Sequence, residues 1–579
     1  MDRLKEIYNI VNKNIDNTKK NDIKDENSFK LPIYYQDDKM LLQENIKYDL
    51  EMVDNKIYKY LFTNDNIHAV KLIKMWSMYY SFNTKYLKDT KSFLKTYKSL
   101  EIDFDMDDTL NIVNDIRNET GFFEKYKYLD LENFEFLNKN PIFLQSLSIY
   151  NLASPVISLI IPIVFLIIPF FLIKIQHKSI TFNEYANTLL YILKNQYMGK
   201  ALIEFSSASW DRKFFTIFTV IIYFFNIYQN FLSCTKFYHN FNKIKSYLQN
   251  IKQFLNYSIK LITNINNYCK DSYIGFINKN NEIKDIISEH YYKLDKIELE
   301  KTNITQLSHV GNILANFYNL YSCSIYNNAI DYCFSLYGYN LNIIDIQNNI
   351  KNNNVNYANF NKKVTNLYDS YFAPLVNSNP IKNNIFIDNN IIITGPNASG
   401  KTTILKSALF NIILSQQLSI GFYSKAEISP FKFIHSYLNI PDTSNRDSLF
   451  QAEARRCKEI LDIIISSKNN DKHFCIFDEL YSGTNPNEAI ASAISYLEFI
   501  SKYTNARFML TTHYLTVCEN MKSYKNIINK HMKLENDNST FILENGISYE
   551  KSGIKILKQL NYPNEIIESA NLISNNYKI

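Results

Sequence analysis

The sequence predicts an α/β layer domain over residues 381–579, preceded by mostly α-helical regions that include one or two membrane-spanning helices. Three observations carry this. From Ile391 onward, short β-branched runs alternate with helical stretches, the mark of α/β layers. Before that point, apolar residues recur at mixed helical spacing. Between the two, Pro155–Ile173 (PVISLIIPIVFLIIPFFLI) is an uncharged apolar run.

The 579 residues leave room for about three to four domains of ordinary size. Four segments follow from the pattern: an N-terminal helical region at 1–150, a membrane-associated helical segment at 151–233, a further helical region at 234–380, and the α/β domain at 381–579. A net charge of +6 is small for this length, so it permits a nucleic-acid partner without demanding one. The chain is rich in Asn, Ile, Lys, Tyr and Phe and has 11 Gly and 12 Pro, which suggests an AT-rich coding sequence such as that of a large DNA virus or a parasite. The seven cysteines form no C-x-x-C pair, which argues against a zinc knuckle or a redox pair and suits a reducing compartment. The polar N-terminus reads as no signal peptide. Asn21–Lys30 is predicted to be an exposed loop, and the low-complexity Asn348–Lys363 a surface loop.

As a helix, Pro155–Ile173 would cover the roughly 30 Å hydrocarbon core of a bilayer. Pro155, Pro162 and Pro169 would each cost about 3 kcal/mol in an ordinary soluble helix, whereas membrane helices tolerate proline. A second apolar stretch, Phe214–Tyr228, is shorter, and Asn226, Gln229 and Asn230 interrupt its end; as a span it would run over 214–232. A second span, a re-entrant arm and a core helix all stay open for it. Lys178, Lys194, Lys200, Arg212 and Lys213 lie between the two stretches, and Lys236, Lys243 and Lys245 lie beyond them. Positive-inside counting therefore sets no orientation.

Gly395-Pro396-Asn397-Ala398-Ser399-Gly400-Lys401-Thr402 is an instance of G-x-x-x-x-G-K-[ST], with an apolar strand before it and a helix, from Thr403 to Ser415, after it. The glycines let backbone N–H groups turn inward around phosphates, and the new helix points its positive end at them. Lys401 is placed to bridge β- and γ-phosphates, and Thr402 to ligate Mg²⁺. ATP with Mg²⁺ is thus the expected cofactor pair, and a cytosolic location is expected for the α/β domain. Two spans would return the N-terminus to the same side.

Three further motifs fit this loop. In His473-Phe-Cys-Ile-Phe-Asp478-Glu479, an apolar strand ends in two acids; Asp478 suits Mg²⁺ and Glu479 suits the base that polarises water. In Phe508-Met-Leu-Thr-Thr-His513-Tyr514, a second strand delivers His513, which reads as a sensor of the γ-phosphate. In Arg446-Asp-Ser448-Leu-Phe450-Gln451-Ala-Glu453, Ser448 and Gln451 make a capping box at a helix start. A hydroxyl at a helix N-terminus also makes a phosphate site, so Ser448 has two readings, cap and catalytic contact.

Taken together these residues resemble the MutS family of DNA mismatch-repair ATPases. Thr394–Thr402 matches its T-G-P-N-x-x-G-K-[ST] loop, Ser448, Phe450 and Glu453 match S-x-F-x-x-E, and Thr512-His513-Tyr514 matches T-H-Y. Asp478-Glu479-Leu480-Tyr481-Ser482-Gly483-Thr484 is similar to the family's acidic strand end with its following G-x-G-T, and Gly553–Leu557, Pro563 and Ala570 resemble its C-terminal pattern. The resemblance covers about residues 370–579 and implies an ABC-type P-loop fold, a homodimer with two composite ATP sites, a lever-like role for 234–380 and a DNA partner. It also implies that Ser448 acts on the nucleotide of the partner subunit. ABC transporter and SMC-type ATPases share the loop, and Ser399 is closer to theirs, but no L-S-G-G-Q signature is present. The chain departs from the family where Leu480-Tyr481-Ser482 stands for I-G-R and Thr511 for Ala. Phe122-Phe123-Glu124 matches the family's F-x-E mismatch wedge, but only about 270 residues separate it from Gly395, too few for the intervening domains. The match reads as chance, and direct mismatch recognition is not expected.

Overall fold

The computed structural model describes residues 28–52, 56–175, 181–195, 209–297, 308–438, 448–535, 538–549 and 560–576, with 299 and 557 singly. The chain forms two compact units that interleave along the sequence. One comprises residues 1–100, 261–282 and 331–579, and the other 101–260 and 283–330. These units do not follow the four consecutive segments the sequence suggests.

Among the described residues, the first unit holds three sheets. A two-stranded antiparallel pair joins β1 (Lys39–Leu41) and β2 (Tyr79–Ser81). A five-stranded sheet runs in the order β5-β4-β8-β3-β7, with β3 Asn356–Phe360, β4 Asn366–Ser370, β5 Asn383–Phe386, β7 Ile420–Gly421 and β8 Lys425–Ile428. The six-stranded sheet runs β13-β12-β6-β11-β10-β9, with β6 Asn390–Thr394, β9 Phe433–Tyr437, β10 His473–Asp478, β11 Ala506–Thr511, β12 Ile527–Glu535 and β13 Asn538–Asn545. Its strands are parallel except β13, which returns antiparallel on β12.

Parallel strands are covered on both faces, so they read as continuous apolar runs. Ile391–Ile393 of β6 and Phe474–Phe477 of β10 are wholly buried. Register then aligns the strand ends. Asp478 pairs with Thr511, and Thr511 with Ile393, so three loops leave the same carboxyl edge of the sheet. In open α/β sheets this edge is where ligands bind.

The Lys401–Leu418 helix follows β6 and is buried over nearly its whole surface, polar residues included. The segment before residue 100 supplies much of that cover. Gln417 Nε2 donates to the carbonyls of Trp76 (2.8 Å) and Tyr79 (3.1 Å), and Tyr58 Oη donates to Gln417 Oε1 (2.7 Å). Gln416 Nε2 donates to Ser81 O (3.1 Å), and Ser419 Oγ to Leu87 O (2.7 Å). Unmade, each such bond would leave a buried polar group that costs about 1–3 kcal/mol. The N-terminal region is therefore part of this unit's core.

One expectation is corrected here. Asn348–Lys363 is not simply a surface loop: the Ser324–Lys351 helix runs into it and β3 forms within it. Its asparagines take structural partners; Asn349 Nδ2, buried, donates to Leu61 O at 2.9 Å. Of the predicted Asn21–Lys30 loop, residues 21–27 lie outside the described residues, as do Arg446 and most of Gly553–Leu557.

The second unit is helical. Phe122 opens the Phe122–Tyr126 helix, is 1% exposed, and stacks on Tyr321 with ring centroids 3.8 Å apart. Its burial suits a core residue and not a wedge for DNA. Two long helices dominate this unit, Pro141–Ile175 and Trp210–Tyr268, the latter continuing past residue 260 into the first unit. Both are long and apolar enough to cross a membrane by length and composition. The first runs unbroken through Pro155, Pro162 and Pro169. Large apolar side chains stand exposed along both, among them Val156, Leu159, Phe171, Phe214, Ile221 and Phe224.

Candidate active site

Residues 395–400 form a tight loop between β6 and the Lys401–Leu418 helix. Gly400 caps that helix at φ +92, where an L side chain is strained, and a Cβ there would meet Phe541 at 3.1 Å. Ala398 also takes a left-handed φ of +59. The left-handed turn directly before a helix start directs consecutive N–H groups into one concavity, an anion-binding arrangement.

Lys401 is buried, and its Nζ donates to Gly395 O and Pro396 O, each at 3.0 Å. Burial lowers its pKa, against the pull of Glu479 and Asp478. Its ammonium is thus held against the carbonyls of the loop. Thr402 Oγ1 donates to Asp478 Oδ2 at 2.8 Å, and Thr511 Oγ1 donates to Asp478 Oδ1. The Thr at 511, where the resembled family has Ala, adds a second hydroxyl that fixes this carboxylate. Thr402 and Asp478 place two hard oxygen donors side by side, a fit for Mg²⁺, which keeps waters and takes few protein ligands.

Glu479 follows in a left-handed conformation, φ +56, which turns its side chain off the strand line. Its Oε1 lies 2.7 Å from His513 Nε2. The hydrogen bond from His513, helped by the Lys401 charge, holds the carboxyl below the ordinary glutamate range against partial burial. Nε2 also lies 3.3 Å from Lys401 Nζ. One nitrogen cannot donate to Glu479 and accept from Lys401 at once, and the shorter contact identifies Glu479 as its partner. Glu479, His513 and Lys401 thus form a chain of contacts at the sheet edge. The arrangement can bind a polyphosphate and hold an ionised carboxylate beside it.

A cavity of about 720 Å³ opens over the loop, walled by Asn397, Ala398, Ser399, Gly400, Lys401, Thr402, Thr403 and Glu479. Ser399 Oγ is buried there without a hydrogen-bond partner. The opposite wall was not foreseen from sequence: Tyr371, Phe372, Pro374, Ile381, Met532 and Phe541. Asn383 ties this wall together, donating to Phe541 O (2.9 Å) and accepting from Leu543 N (2.7 Å). The signal available was Tyr371-Phe372-Ala-Pro374 shortly before the first strand of the α/β domain. An apolar wall beside a phosphate loop suits a flat heterocyclic base.

Ser448 is an exposed N-cap of the Leu449–Ser466 helix, with both bonds of the capping box formed. It is not part of the cavity wall. Glu453, in the same motif, takes a role that sequence reasoning missed. It is 2% exposed and accepts from Ser482 N (3.1 Å), Ser482 Oγ (2.9 Å) and Gly483 N (3.1 Å). It therefore anchors the loop that follows Asp478-Glu479. Gly483 packs so closely on the helix start that a Cβ would fall 2.7 Å from Leu449 Cγ. Leu480 and Tyr481, where the family has Ile and Gly, are buried in the core, with Tyr481 against Phe450 at 5.7 Å between centroids.

The family model described as MutS domain V matches residues 391–578. A DNA mismatch repair protein MutS of Fusobacterium nucleatum is 28% identical over 201 residues, 33% of this chain and 22% of that protein. MutS protein homolog 4 of Homo sapiens is 30% identical over 210 residues, 34% of this chain and 22% of that protein. An Endonuclease MutS2 of Clostridium novyi is 31% identical over 196 residues, 33% of this chain and 24% of that protein. The chain therefore spans less than a quarter of the length of these curated relatives. The match takes in Gly395–Thr402, Ser448, Glu453, Asp478, Glu479 and His513, so this part of the chain is similar to domain V of MutS proteins.

Proposed function

We propose that the chain is an ATPase with an ABC-type P-loop domain, which binds ATP with Mg²⁺ and hydrolyses it. The observation that carries this is the convergence of Lys401, Thr402, Asp478, Glu479 and His513 at one sheet edge beside the loop cavity. Lys401 exchanges the carbonyls of Gly395 and Pro396 for β- and γ-phosphate oxygens. Thr402 and Asp478 would hold Mg²⁺, which would supply positive charge against the phosphates. Glu479, ionised, accepts the proton of the attacking water. His513 keeps that carboxylate in place and sets its basicity. Ser448, outside the cavity, acts on the nucleotide of a second copy, so the working form is a homodimer with composite sites.

DNA is the proposed partner that this ATPase serves, in mismatch repair or recombination, by analogy with relatives named for mismatch repair. The support is the MutS domain V match. A second reading has its own observation. The exposed apolar side chains on the two long helices favour a membrane-anchored ATP-driven switch, with the ATPase on the cytosolic side. The deciding experiment is the ATPase rate of the purified full chain with and without homoduplex, mismatched and branched DNA. DNA stimulation supports the first reading; firm membrane integration with no DNA effect supports the second. A Lys401→Ala chain that hydrolyses ATP at the wild-type rate contradicts both.

A further inference from the structure

The two long helices of the helical unit touch as an antiparallel pair. Tyr223 Oη donates to Ser158 O (3.1 Å), Asn230 Nδ2 donates to Ser158 Oγ (2.7 Å), and Cys234 Sγ lies 3.7 Å from Leu152 O. Leu152 thus stands opposite Cys234, and Ser158 opposite the stretch between Tyr223 and Asn230. Ser158, Tyr223 and Asn230 thus satisfy one another across the pair, as buried polar groups between membrane helices do. Residues 155–173 rise about 28 Å at 1.5 Å per residue, close to the roughly 30 Å hydrocarbon core. Basic and aromatic residues flank the apolar belt. Lys174, Trp210 and Lys213 sit at its tip, and Tyr150, Lys236 and Tyr238 at its base. Such residues anchor spans at the headgroup level.

At the base, where the second helix leaves the apolar belt, lies a cavity of about 620 Å³. Its walls include Lys125, Lys127, Lys236 and His239, with Glu124 the one carboxylate. Asn240 Nδ2 donates to Lys125 O at 2.8 Å and joins the two sides. Lys125 Nζ is engaged by Glu119 at 2.7 Å. The exposed Lys127 and Lys236 therefore carry the charge that an incoming anion meets. Gln229 and Leu232 line the same cavity from the last turns of the belt. It thus spans the boundary between apolar belt and basic rim.

We propose that this cavity binds the phosphate headgroup of an anionic phospholipid, with Lys127 and Lys236 holding the phosphate oxygens. The proposal rests on the membrane reading above. With the ATPase cytosolic, the base of the hairpin faces the cytoplasmic leaflet, which is the one rich in anionic lipid.

The test uses the full chain reconstituted in vesicles of phosphatidylcholine alone or with phosphatidic acid. Resistance to alkaline carbonate in phosphatidylcholine vesicles reads insertion by itself. Co-purified phosphatidic acid, counted by mass spectrometry after detergent extraction, reads the site. Wild type should retain phosphatidic acid roughly tenfold better than Lys127→Gln/Lys236→Gln. Both should insert equally, and Lys174→Gln/Lys213→Gln at the tip should retain lipid as wild type does. Equal retention by the base variant overturns the proposal. Competition by millimolar inorganic phosphate with no lipid retained overturns it in favour of a free-phosphate site. Loss of duplex DNA binding, rather than lipid, in the base variant overturns it in favour of a nucleic-acid surface. Carbonate extraction of wild type removes the membrane reading, and the proposal with it.

Discussion

At the scale of single residues, the site turns on how Glu479 is held. Its hydrogen bond from His513 lowers its pKa, so the carboxylate is ionised through the neutral range. If Glu479 is the base, hydrolysis needs its ionised form and fails as pH falls through its pKa. Removing His513 takes away the main lowering influence and leaves the effect of burial, so the pKa rises. His513→Ala should therefore move the acid limb of kcat to higher pH, besides lowering kcat. A pH–rate profile checks this, and an unmoved limb removes His513 from that role. Lys401→Ala should abolish tight ATP binding in a titration with labelled nucleotide, because the β/γ-phosphates lose their side-chain cation.

At the scale of elements, the parallel sheet and its three edge loops were legible in the sequence. β-branched and aromatic runs ended in chemistry-bearing residues, and a strand buried on both faces has no other pattern to show. Glu453 was not legible as an anchor, because its three donors come from a loop some 30 residues on and only the fold joins them. Nor was the apolar wall around Tyr371 and Phe541, which the segment between β4 and β5 and the distant β12–β13 pair assemble. The asparagines of 348–363 misled for a related reason: composition suggested solvent, while buried carbonyls elsewhere supplied partners. Glu453→Ala leaves Ser482 and Gly483 donors without an acceptor. It should cost about 3 kcal/mol of stability, seen in denaturant unfolding, and should lower kcat more than ATP affinity. Normal stability would deny the anchor role. For the apolar helices, full-length protein should stay with membranes after alkaline carbonate washing. Recovery as a detergent-free soluble species would sink the membrane reading.

At the scale of the whole molecule, residues 391–578 are similar to MutS domain V, and the similarity covers less than a quarter of the relatives' length. Phe122, the aromatic residue of the F-x-E match, is packed against Tyr321. Binding titrations should accordingly give less than a tenfold preference, about 1.4 kcal/mol, for mismatched over paired DNA. Dimerisation has its own signature. Ser448→Ala alone should be folded but slow and Lys401→Ala inactive. Mixing the two should recover hydrolysis above either parent, through dimers with one intact composite site. A mixture that gives only the average of the parents, with subunit exchange verified, would remove Ser448 from the partner's site. The central claim, that the sheet edge hydrolyses ATP with Glu479 as base, is tested most directly by Glu479→Gln in the full chain, with ATP binding and steady-state turnover measured on one preparation. ATP binding retained with turnover lost is the predicted result; turnover at the wild-type rate would contradict it.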